Sequence, residues 1–175
     1  MKGERDVSHA EAPSVVLVTG AARRVGAGIA RALHAAGATV ALHYRHSAEA
    51  AGRQAAALNA LRPGSAATFQ ADLLDLPALP ALIDAVVDRF GRLDGLVNNA
   101  SSFFPTPLGT VDVAAWDDLI GSNLRAPFFL MQAAAPALRA RRGAVVNIVD
   151  IHAERPLPGY PVYCAAKAGL LGLTR

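Results

Sequence analysis

The sequence predicts an α/β chain: a doubly wound parallel sheet flanked by helices. Three observations predict it. Short apolar runs rich in valine and leucine recur along the chain, longer alanine-rich stretches with helical spacing lie between them, and glycines stand where helices should end. Continuous apolar runs suit parallel strands buried on both faces. Strand and helix in strict alternation call for right-handed crossovers between parallel strands.

Each element can be justified in order. "SVVLVT" (14–19) is the first strand, and a glycine-rich turn leads from it into a helix around 26–36 that Gly37 closes. "TVALHY" (39–44) precedes a helix over 48–61, and "AATFQA" (66–71) precedes one over 77–90 that Gly91 closes. "GLVNNA" (95–100) leads through a loop to a long helical stretch over 112–140, and "GAVVNIV" (143–149) is the fifth strand. With no internal repeat or linker, residues 14–175 read as one Rossmann-like domain behind a flexible tail, 1–13.

Composition excludes several classes. The 175 residues are 53% hydrophobic and 18% charged, without an apolar run long enough for a bilayer, so a soluble globular protein with no membrane partner is expected. The start "MKGERDVSHAEAP" has no apolar core and is no secretory signal. A lone cysteine, Cys164, forms no internal disulfide and fits a reducing, cytoplasmic compartment. Five scattered histidines make no recognisable metal site. The net charge of +3 comes from arginines spread along the chain, so no nucleic-acid partner is expected. Only Lys2 and Lys167 among the 17 basic residues are lysines, which marks interior Lys167 as a position that needs an amine.

In such a sheet the chemistry belongs at the carboxyl ends of the strands. The first turn, "LVTGAARRVGAGIA", offers Gly20, Gly26 and a helix N-terminus to a pyrophosphate, although a plain strand-to-helix connection can look the same. At the end of the second strand and just after it come His43, Tyr44, Arg45, His46 and Ser47, with no carboxylate before Glu49. A carboxylate there would hold the ribose 2′-hydroxyl of NAD, whereas donors favour the 2′-phosphate of NADP; the alternative is a solvated basic loop. Tyr163 and Lys167 are four apart and share a helix face, so the ammonium can lower the tyrosine pKa. Asp150, 13 residues before the tyrosine, can return to the same pocket.

Thr19-Gly20 with Gly26, Asn98-Asn99-Ala100, Asn123 and Tyr163-x-x-x-Lys167 together resemble the short-chain dehydrogenase/reductase family, over about residues 14–175. Two positions depart from the common pattern: Arg24 stands at the middle glycine and Asp150 at the usual serine. Both departures, with "LHYRHSAEA", "LVNNASSFFPTPL" and "PLPGYPVYCAAKAGLLGLTR", resemble the pteridine reductase branch.

The resemblance implies an NADPH-dependent reductase of dihydropterin or dihydrofolate. Gly20, Arg24, Val25 and Gly26 would hold the cofactor phosphates, and Arg23 either reaches the 2′-phosphate or is solvated. Asp72 and Leu73 would lie near the adenine, with Asn99, Ala100 and Ser101 on the nicotinamide side. Tyr163 would give a proton, Lys167 would bond the ribose and hold the tyrosine pKa down, and Asp150 would relay protons. Asn123 would interrupt its helix to support that relay, or cap it internally.

Arg24 and Ser101 would also touch substrate, Phe103 would form a stacking lid and Tyr160 would line the pocket. Trp116, Phe128 and Phe129 read as core or subunit packing, and a homotetramer is the family expectation. Family members continue beyond the last helix, so the sequence reads as lacking the C-terminal part of the fold. The alternatives are another short-chain ketone reductase, such as a 3-oxoacyl reductase, and a nucleotide-binding fragment without turnover.

Overall fold

The computed structural model describes residues 12–175; the expected tail lies outside the described residues apart from its last two. Five strands, β1 (Val15–Val18), β2 (Thr39–Tyr44), β3 (Ala66–Gln70), β4 (Gly95–Asn98) and β5 (Ala144–Asn147), form one parallel sheet in the order β3-β2-β1-β4-β5. Six helices connect and follow them: α1 (Arg24–Ala35), α2 (Ala48–Leu61), α3 (Ala78–Phe90), α4 (Val113–Ile120), α5 (Ala126–Arg141) and α6 (Pro161–Thr174). This is the Rossmann-like fold that the alternation of apolar and helical segments predicts. Among the described residues no helix is long and apolar enough to cross a membrane.

The pleat divides the core in two. Val15, Leu17 and Ala41 point to one face and meet Leu79, Ile83 and Val86 of α3 with Ala126, Leu130 and Ala134 of α5. Their neighbours Val16, Val18, Val40 and Leu42 point to the other face and meet Ala30 of α1 and Leu58 of α2. Because every residue of β1 faces a helical layer, the strand must be apolar throughout. The expectation of burial on both faces fails at the edges: β3 and β5 alternate, and Val146 is half exposed. An edge strand has a neighbour on one side alone, so helices cover it less fully.

The long stretch over 112–140 is not one regular helix. It divides into α4 and α5 around a π-helical turn, Gly121–Arg125, where the Ala126 amide donates five residues back to the Gly121 carbonyl. Such widened turns insert one extra residue and re-aim side chains. Gly91 closes α3 at φ 75°, and Gly37, at φ 98°, follows α1, as expected of helix-terminating glycines.

Asp94 ties the opposite end of the sheet together. Its carboxylate accepts from the Val15 amide (2.8 Å) and from Arg92 (2.5 and 2.6 Å), and lies 3.5 Å from Arg141 at the end of α5. Burial pushes its pKa up, but Arg92 and the Val15 amide outweigh that and hold it below the ordinary carboxylate value. Asp94→Ala takes the carboxylate partner from the largely buried Arg92 and the acceptor from the Val15 amide, and is expected to cost about 2–4 kcal/mol in urea unfolding. A loss within experimental error would show that the cluster contributes nothing net.

Candidate active site

A cleft of about 540 Å³ opens at the carboxyl ends of the strands. It is formed by the turn after β1, the ends of β2 and β3, the loop after β4, the segment after β5 and the first turns of α6. The order β3-β2-β1-β4-β5 changes direction beside β1, which is where an open α/β sheet leaves a crevice.

The β1–α1 turn is built for close approach. Gly20 has φ 63°, and a Cβ at Gly26 would stand 2.3 Å from the Gly20 carbonyl oxygen and 2.5 Å from Asn99 Nδ2. The Thr19 hydroxyl accepts from the Asn99 (2.9 Å) and Ala100 (3.0 Å) amides, and Asn99 Nδ2 donates to the Thr19 carbonyl (2.8 Å). The turn after β1 is thereby locked to the loop after β4.

Arg24 occupies the left-handed region at φ 50°, a conformation glycine adopts freely and arginine adopts at a cost of roughly 1 kcal/mol. Arg23 and Arg24 are both exposed at the cleft, and the first turn of α1 has neither a side-chain cap nor an acidic residue. That absence, with two arginines beside it, suits an anion.

The basic segment at the end of β2 divides. His43 is fully buried: Nδ1 accepts from the Gly20 amide (3.1 Å) and Nε2 donates to the Ala71 carbonyl (3.1 Å). Burial pushes its pKa down to about 4, so it is neutral and both ring nitrogens are spent. This corrects the expectation that His43 offers a donor to a phosphate: it holds the glycine turn in place. Arg45 lines the cleft and pairs with Asp72 at 2.8 Å, and Leu73 lines it beside them. Tyr44, His46 and Ser47 are not among its lining residues; Ser47 is the first residue of the turn into α2 and makes no side-chain cap.

At the other end, the Tyr163 hydroxyl donates to Asp150 Oδ2 at 2.8 Å, while Asp150 Oδ1 accepts from the His152 amide at 3.0 Å. Asp150 starts the short 3-10 turn Ile151–Ala153, which fixes the carboxylate toward α6. Burial pushes Asp150 up, but the bonds from His152 and Tyr163, helped by the charges of His152 and Lys167, hold it below the ordinary carboxylate value. Tyr163 moves above the ordinary tyrosine value, through burial first and then through the Asp150 bond and charge; the neighbouring Ser101 hydroxyl acts the other way.

Lys167 Nζ donates to the Ile148 carbonyl at 2.9 Å and lies 5.7 Å from the Tyr163 ring centre. The expectation that Lys167 holds the tyrosine pKa down is therefore corrected, since Asp150 sits on the hydroxyl and the ammonium is turned to the backbone. Burial lowers the Lys167 pKa, against the pull of Asp150.

Asn123, fully buried in the π-helical turn, accepts from the Ser101 hydroxyl at 2.6 Å and donates to the Ser102 (2.9 Å) and Leu119 (3.0 Å) carbonyls. It both caps its own helix and holds the loop that carries Ser101. Phe103 is half exposed and stacks flat on Tyr160 (4.6 Å, 8°) with its edge on Tyr163 (4.8 Å). The three aromatics meet, but Phe103 covers Tyr160 and neither ring lines the cleft. Phe129 packs on the core, while Trp116 and Phe128 are a little under half exposed.

Residues not foreseen are Leu74, Ser102, Ser122, Ile148 and Val149 in the cleft lining, with Asp118 behind the two serines. The Ser102 hydroxyl donates to Asp118 (2.7 Å) and the Ser122 hydroxyl to the Asp118 carbonyl (2.8 Å). The four-residue spacing of Asp118 and Ser122 was the available signal.

The fold and site define a dinucleotide-binding α/β domain with a tyrosine–lysine pair at the strand ends. A family model for short chain dehydrogenases matches residues 14–175. Pteridine reductase 1 of Leishmania tarentolae is 44% identical, over 92% of this chain and 69% of its own. A 3-oxoacyl-[acyl-carrier-protein] reductase of Staphylococcus aureus is 39% identical, over 91% and 65%, and hydroxynaphthalene reductase arp2 of Aspergillus fumigatus 37%, over 92% and 58%. The chain thus spans 58–69% of the length of these relatives. It belongs to the short-chain dehydrogenase family, whose members are oxidoreductases that bind NAD or NADP.

A buried neutral histidine makes stability pH-dependent. Below about pH 6.5 the unfolded chain protonates His43 and the folded chain does not, so this residue's stability contribution is present above pH 6.5 and falls as pH drops toward 4. Chemical unfolding between pH 7 and 4 is expected to show His43→Asn losing roughly 2–4 kcal/mol less than the native chain over that interval. Equal losses would mean His43 is already charged when folded.

Proposed function

We propose that this chain carries the active site of an NADPH-dependent pteridine reductase that reduces a dihydropterin, and dihydrofolate as a related substrate, to the tetrahydro form. The observation that carries the reading is the hydrogen bond from the Tyr163 hydroxyl to Asp150. A carboxylate has lone pairs left after these two bonds, and the N–H groups of a pterin ring can fill them. A ketone has no N–H to offer, and its oxygen would be repelled by the charge. The 44% identity to a pteridine reductase supports the reading, and the 39% identity to a 3-oxoacyl reductase makes that enzyme the alternative.

Each residue then has a task. The Gly20–Gly26 turn, with Arg23, Arg24 and Val25, holds the pyrophosphate. Arg45, with His46 and Ser47 beside it, takes the 2′-phosphate, and Tyr44 ends the strand that carries them. Asp72 and Leu73 flank the adenine, and Asn99, Ala100 and Ser101 the nicotinamide. When bound, the reduced nicotinamide supplies hydride. Tyr163 donates the proton to the ring nitrogen, and Asp150 takes ring N–H bonds and keeps the phenol protonated until substrate arrives. Lys167 bonds the ribose, Asn123 holds Ser101 in place, and Arg24 orients the substrate. Phe103 leaves Tyr160 to cover the pterin, and Tyr160, beside the cleft in the protein without ligand, then borders it.

The reading also includes residues 14–175 as the NADP-binding domain, a cytoplasmic location and a homo-oligomer, a homotetramer by resemblance. Exposed Trp116 and Phe128 support the assembly. NADPH oxidation with dihydrobiopterin, measured beside a 3-oxoacyl control, tests the activity. Dihydrobiopterin should be consumed, and Tyr163→Phe should lower kcat by about 10²–10⁴-fold without loss of fold. Turnover of the acyl ketone alone would favour the alternative.

A further inference from the structure

Beyond the strand ends β2 and β3, two side chains of opposite charge meet over the cleft. Tyr44 is in register with Gln70, so Arg45 and Asp72 leave adjacent strands almost level with each other. The Arg45 guanidinium lies 2.8 Å from Asp72 Oδ2. The Asp72 carboxylate and the backbone that carries Arg45 are each tied down. Asp72 Oδ1 accepts from the Leu74 amide (3.0 Å), and the Arg45 carbonyl accepts from Gln70 Nε2 (3.2 Å). The same two segments are joined again by the Ala71 amide to the Tyr44 carbonyl (3.2 Å) and by His43 to the Ala71 carbonyl.

An ion pair this exposed, with side chains 43% and 37% accessible, contributes little to stability. Orientation is the effect left to it. Arginine loses rotamer freedom when it binds a phosphate, and a guanidinium already drawn to one side by an ion pair has less of that freedom left to lose. Both side chains line the cleft, so the guanidinium is presented to whatever lies there.

We propose that Asp72 is a specificity-determining positioning residue: it aims Arg45 at the cofactor's 2′-phosphate, so that preference for the phosphorylated dinucleotide depends on a carboxylate that never touches the phosphate. The proposal rests on the NADP reading above and deepens it. It opposes the simpler view that an acidic residue beside the 2′ position must disfavour a phosphate.

Calorimetric titration of adenosine 2′,5′-bisphosphate and adenosine 5′-diphosphate into the purified chain tests it without turnover. The native chain should prefer the 2′-phosphorylated ligand. Asp72→Asn should cut that preference, read as the ratio of the two affinities so that any adenine contact of Asp72 cancels, roughly five- to tenfold, and Asp72→Glu should restore part of it. In an Arg45→Leu background the Asp72→Asn change should have no further effect, because the aspartate acts through the arginine. Circular dichroism melts should show all variants folded, as the exposure of the pair requires. An unchanged or increased preference in Asp72→Asn overturns the proposal. A native chain without any preference overturns the NADP reading itself and the proposal with it, and equal loss of both ligands would show a general binding role instead.

Discussion

The Tyr163 hydroxyl meets Asp150 because two unrelated pieces of backbone converge at the carboxyl edge of the sheet. Asp150 begins the turn after β5, and the His152 amide takes one of its oxygens, leaving the other to face α6. Tyr163 sits in the first turn of that helix, behind Tyr160 and Pro161. Lys167 follows one turn later and anchors its own ammonium on the Ile148 carbonyl of the approach to Asp150. Electrostatics then sets the chemistry: burial and the neighbouring carboxylate keep the phenol protonated.

The opposite end of the cleft depends on a neutral histidine. His43 spans from the Gly20 amide to the Ala71 carbonyl and so joins the glycine turn to the end of β3. A charged imidazole would carry a proton on Nδ1 and lose the Gly20 bond, so neutrality is part of the architecture. Against that rigid frame Arg24 sits in a left-handed conformation that its side chain does not favour. Strain retained at an exposed cleft residue is the pattern expected where backbone shape serves a ligand.

Much of this was legible in the sequence. Strands 14–19 and 39–44 announced themselves because a central parallel strand is apolar on both faces, and helix 48–61 fell where its spacing put it. The four-residue step from Tyr163 to Lys167 gave the shared helix face. What the sequence hid depended on three-dimensional partners. His43 looks like a phosphate donor in a row of basic residues, and only its burial between Gly20 and Ala71 removes it. Lys167 looks like the tyrosine's electrostatic partner, yet a backbone carbonyl 19 residues away takes its ammonium. The π-helical turn at Asn123 and the serine–aspartate contacts beside it arise from a loop and a helix meeting across some 20 residues, which no local periodicity records.

The most direct test of the central claim is the ratio of kcat/KM for a dihydropterin to that for a 3-oxoacyl ester, in the native chain and in Asp150→Ser. If the carboxylate on the Tyr163 hydroxyl selects a ring rich in N–H groups, the native ratio favours the pterin. The serine variant should then lower that ratio by about 10²-fold or more. A ratio that stays the same in both proteins would contradict the account and leave Asp150 without a part in substrate choice.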